Sequence, residues 1–68
     1  MEERISVKGA RQLAGYSQRE MADKLGVHMQ TYRKLEREPQ KMTVHQAFRF
    51  CNIVQRSFVA IFFDEHSS

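Results

Sequence analysis

The chain predicts an all-α fold: a compact domain of five short helices with no strands. Three observations lead there. Apolar residues recur at three- and four-residue spacing in short segments rather than alternating. Serine or threonine stands ahead of several of these segments, twice with Glu or Gln three residues on. Glycine or proline then closes most of them. Sixty-eight residues leave room for one domain, spanning 1–68, with residues 1–5 and 64–68 expected as flexible polar ends.

Ser6 is positioned to cap a first helix in which Val7, Ala10, Leu13 and Ala14 form the expected buried face. Gly9 lies inside it at a cost of about 1 kcal/mol relative to Ala, which marks a close-packing position. Gly15 ends that helix, and Tyr16 is expected to turn its ring into the core. Ser17 caps the second helix, with Glu20 completing a capping box. Met21, Ala22 and Leu25 make its apolar face. Gly26 supplies the positive φ that a tight reversal needs, and Val27 plugs the turn.

His28 opens the third helix, whose inward stripe is Tyr32 and Leu35. At about 100° per residue, Gln30, Arg33, Lys34 and Arg37 fall on its opposite face, with Met29 beside them at the amino-terminal edge. Glu38 and Pro39 stop that helix, and Gln40 to Met42 form a loop. Thr43 and Gln46 make a second capping box. The fourth helix is expected to bury Val44, Ala47, Phe48, Cys51 and Val54, with Phe50 on a neighbouring face. Ser57 caps a last short helix that turns Phe58, Ile61 and Phe62 inward.

Composition narrows the function classes. No apolar run approaches twenty residues, so a membrane span is excluded. The opening MEERISVK lacks the basic-then-apolar layout of a leader, so a cytoplasmic protein is expected. A single cysteine, Cys51, makes no intrachain disulfide and reads as a small core residue. His28, His45 and His66 have no ligand spacing with one another or with Cys51, so no metal or other cofactor is expected. No nucleophile–base set, phosphate-binding glycine loop or carboxylate pair points to an enzyme. The net charge of +3 permits nucleic-acid binding without requiring it.

Gln18, Glu20, Ala22, Gly26, Val27, Thr31 and Glu36, at these fixed offsets, resemble the Cro and phage-repressor helix-turn-helix family (Xre type). The resemblance runs from about Val7 to Phe62, and its specific part is Gln18 to Glu36. It implies a lambda-repressor-like fold and a sequence-specific regulator of double-stranded DNA. It further implies a phage or prophage repressor of the Cro kind, a homodimer on a near-palindromic operator, in the bacterial nucleoid or an infected host. Two departures stand out. Gly9 is unusual for the family, and Gln55–Arg56 replaces the Gly–aliphatic pair before the last cap, so helix four is expected to run longer.

Within that resemblance Gln18 bonds a DNA phosphate, aided by the dipole of its helix. An Arg11–Glu36 ion pair holds the third helix on the scaffold. Gln30 is the leading base reader, because its amide donates and accepts at once, matching adenine N6 and N7. Lys34 suits guanine O6 and N7, and Met29 a thymine methyl. Arg33, Arg37, Arg19, Lys41 and His28 are candidates for phosphate contacts; each also has a plain reading as a solvated residue. Phe58, Val59 and Phe63 form a C-terminal apolar patch expected at a two-fold dimer contact. The same patch leaves open an antitoxin-like protein-interaction module. Neither a membrane nor a small-molecule ligand is expected as partner.

Overall fold

The computed structural model describes residues 4–62. The dimer candidate Phe63, His66 and the polar 64–68 end lie outside the described residues. Five α-helices follow one another: α1 (Val7–Ala14), α2 (Gln18–Leu25), α3 (Met29–Arg37), α4 (Val44–Val54) and α5 (Phe58–Phe62). A 3-10 turn, Pro39–Lys41, occupies the loop after α3. No strand occurs among the described residues. The all-helical fold is therefore as the sequence predicts.

The caps are local and form where the residue types demand. Ser6 Oγ accepts from the Gly9 N–H, and both capping boxes close, Ser17 with Glu20 and Thr43 with Gln46. Gly15 and Gly26 end α1 and α2 at φ 86° and 71°, a region where a Cβ is penalised. Gly9 is tightly set: a Cβ there would stand 3.1 Å from Ser6 Oγ and 3.2 Å from Ile5 Cγ1.

Helix α2 packs on α3, α4 bears on both α1 and α2, and α5 folds back on α4. Their shared core is Val7, Ala10, Met21, Ala22, Leu25, Tyr32, Phe50 and Val54, with Tyr16 and Val27 packed at its edge. Arg49 crosses from α4 to the end of α2, its Nη2 donating to the Lys24 carbonyl at 2.7 Å. That bond satisfies a carbonyl that α2 has no turn left to use.

Five expectations are corrected here. Leu13 is not buried; it is 68% exposed. It lies roughly 120° around α1 from Val7, whereas Arg11, roughly 40° away, takes the core position. Val44 and Phe48 are also exposed, at 69% and 55%, and Phe50 is fully buried in their place. Ala47, Phe50, Cys51 and Val54 are the i, i+3, i+4, i+7 stripe of α4. The helix carries more apolar residues than one stripe can bury, and it turns so that its ring at Phe50 fills the space between α1 and α2.

The helix ends differ from expectation as well. Helix α4 does not run longer. Gln55 takes the left-handed conformation itself, φ 58°, and the Arg56 N–H bonds the Cys51 carbonyl at 3.1 Å. Residue 5 is not a free end either: the Ile5 N–H donates to the Ala60 carbonyl at 3.0 Å, and its side chain packs on the core.

Candidate nucleic-acid interface

Helix α3 is inserted back-first. Tyr32 is fully buried and Leu35 6% exposed, while Gln30, Arg33, Lys34 and Arg37 stand in solvent and Met29 is half-buried. His28 is the N-cap residue of α3, but its side chain makes no capping bond. The sharp turn at Gly26 sets α3 against α2, so the polar face of α3 and the start of α2 lie on one side of the domain.

Behind that face sits a polar cluster built on Glu36. Arg11 Nε donates to Glu36 Oε2 at 2.7 Å, the two side chains being 9% and 7% exposed. The Tyr32 hydroxyl donates to the same oxygen at 2.6 Å, and Gln18 Nε2 to Oε1 at 2.9 Å. Arg11 Nη1 donates in turn to the Tyr16 carbonyl at 2.9 Å. Burial pushes the Glu36 carboxyl upward, but the bonds from Arg11, Tyr32 and Gln18 outweigh it, and its pKa falls below the ordinary value. The Glu36 bond, opposed by burial, raises the Arg11 guanidinium further. Tyr32 is held neutral, raised first by burial and then by its bond to Glu36. No buried side-chain polar atom lacks a partner among the described residues. The cluster ties α1, α2 and α3 together through one carboxylate.

Gln18 is thus committed inside the protein: its Oε1 also accepts from Arg33 Nε at 3.3 Å. Its backbone N–H, in the first turn of α2, has no intrahelical acceptor. Arg19 is exposed on the same turn. Lys41 pairs with Glu38 at 3.0 Å, both in solvent. A concavity of about 430 Å³ opens between the helices, lined by Lys8, Gln18, Arg33, Glu36 and Arg37. Lys8 is the lining residue that sequence reasoning passed over. The signal was its position three residues before Arg11, which puts both on one side of α1.

On α5, Phe58 is half-buried and Val59 is 55% exposed. Phe58 packs between Phe48 and Phe62, with ring centroids 4.9 and 5.1 Å apart. No cluster of metal-ligating side chains occurs among the described residues, and none of their helices is long and apolar enough to cross a membrane. Cys51 is buried, which raises its thiol pKa.

Two short helices in a tight turn, the second presenting a polar face held rigidly from behind, define the helix-turn-helix class of DNA-binding domains. A helix-turn-helix family model matches residues 7–60, most of the chain, and the protein belongs to this Xre/lambda Cro-like family of DNA-binding transcription regulators. Comparison with curated proteins and with solved structures gives no significant match.

Proposed function

We propose that the protein is a Cro-like repressor of phage or prophage origin, acting in the cytoplasm as a homodimer on a near-palindromic operator. The observation that carries this reading is the solvent-facing side of α3, polar from Gln30 to Arg37, on a helix fixed by the Glu36 cluster. Fixing the helix matters because a base contact is discriminating only if the side chain arrives in one orientation. Gln30 reads adenine through its bidentate amide, Lys34 reads guanine one turn later, and Met29 covers a thymine methyl. Gln18, through its backbone N–H and the α2 dipole, bonds a phosphate. Arg19, Arg33, Arg37, His28 and Lys41 extend the phosphate contacts. Lys41 leaves Glu38 readily, since an exposed pair is worth about 0–1 kcal/mol.

Two copies joined near Phe58, Val59 and Phe63 set their α3 helices one turn of DNA apart, about 34 Å. Occupancy of such a site represses by excluding polymerase. Gln30→Ala is expected to weaken operator binding by about 1–3 kcal/mol with the fold intact. A gel-shift titration on a duplex selected from random sequence measures this, and unchanged affinity removes Gln30 from the reading set.

The exposed apolar residues Val44, Phe48 and Val59 favour a second reading, an antitoxin-like module that binds another protein. Both readings use this apolar patch, so the Gln30 face separates them: Gln30→Ala weakens DNA binding under the first reading and leaves capture of a protein partner unchanged under the second.

A further inference from the structure

The concavity between α1, α2 and α3 gathers three cations, Lys8, Arg33 and Arg37. Its sole carboxylate, Glu36, is already engaged by Arg11, Tyr32 and Gln18. Lys8 leaves α1 one turn ahead of Arg11 and forms no ion pair among the described residues. Arg33 uses its Nε on Gln18, which holds the guanidinium at the rim with its terminal nitrogens left to donate. Arg37 follows Arg33 by four residues, so the two stand over one another on α3. Like charges around one hollow repel unless an anion sits among them.

We propose that this hollow seats one phosphodiester of the DNA backbone and that Lys8, from the first helix, is one of its ligands. The inference rests on the DNA-binding reading above. It widens the footprint from the α2–α3 pair to α1. Because α1 also anchors Glu36 through Arg11, a phosphate held by Lys8 locates the reading helix relative to the backbone.

The test compares wild type, Lys8→Gln and Lys24→Gln on the selected duplex and on an unrelated one, from about 50 to about 200 mM salt. Lys24 is the control for net charge. It lies over the Tyr16 ring at 5.0 Å, outside the hollow. Lys8→Gln is expected to lower affinity roughly five- to tenfold near 0.1 M salt on both duplexes, and to reduce the salt slope by about one. Lys24→Gln is expected to leave the slope unchanged. Lys8 is exposed, so the variant's thermal melt should match wild type. Wild-type binding with an unaltered slope in Lys8→Gln overturns this inference alone. An equal change in both variants also overturns it, as a charge effect without a site. Absence of wild-type binding to any duplex overturns the DNA reading and this inference with it.

Discussion

Glu36 receives four hydrogen bonds from Arg11, Gln18 and Tyr32, and this one carboxylate decides how α3 sits. Removing its charge strands a guanidinium that is 9% exposed, so Glu36→Gln is expected to cost about 3 kcal/mol at neutral pH, read by urea unfolding. The pH dependence follows from the lowered pKa. A carboxyl with a lower value folded than unfolded stabilises above the unfolded value, about 4.3 for Glu, and loses that stability as pH falls through the folded value. Wild type is therefore expected to weaken below about pH 4, with its gap to Glu36→Gln narrowing there. A constant gap down to acid unfolding would contradict the assignment. Of this cluster, the family resemblance implied the Arg11–Glu36 pair, which residue types and spacing alone do not mark. Gln18 joining it was not implied, because an amide carries no mark of which partner it will find.

Among the helices, the junctions carry the strain. Gln55 occupies a left-handed position, which glycine takes without penalty, and a non-glycine residue there costs roughly 1–2 kcal/mol. Glycine recovers that cost but loosens the unfolded chain by about 0.4–1 kcal/mol. Gln55→Gly is thus expected to stabilise by about 0.5–1 kcal/mol in thermal or urea unfolding. The mirror experiment is Gly26→Ala. Nothing lies within 4 Å of a Cβ at Gly26, so its expected loss of about 1 kcal/mol comes from φ alone. A loss several times larger would mean that the turn between α2 and α3 moves, and DNA binding would fall with it.

At the scale of the whole molecule, 68 residues enclose a small core, which is marginal without further burial. Val44 and Phe48 on α4 and Val59 on α5 remain in solvent, with Phe48 against the half-buried Phe58. In the proposed dimer this surface is covered, and stability then depends on protein concentration. Val59→Lys, with Phe48→Lys as a second variant, is expected to give a monomer in sedimentation that binds an operator half-site weakly. Full-affinity operator binding by a monomeric variant would refute the dimer.

Helix existence, the caps at Ser6, Ser17, Thr43 and Ser57, and the polar face of α3 were legible in the bare chain. Each depends on residues within about a turn of one another, and neighbours in sequence must be neighbours in a helix. Folding in three dimensions settled which way α4 rotates, why Arg11 rather than Leu13 takes a core position, and how Lys8 meets Arg33 and Arg37. Those outcomes arise between residues such as Arg11 and Glu36, 25 positions apart, or Gln18 and Glu36, 18 apart. Such pairs meet only when whole helices dock, and docking is governed by the volume each side chain fills rather than by its local spacing.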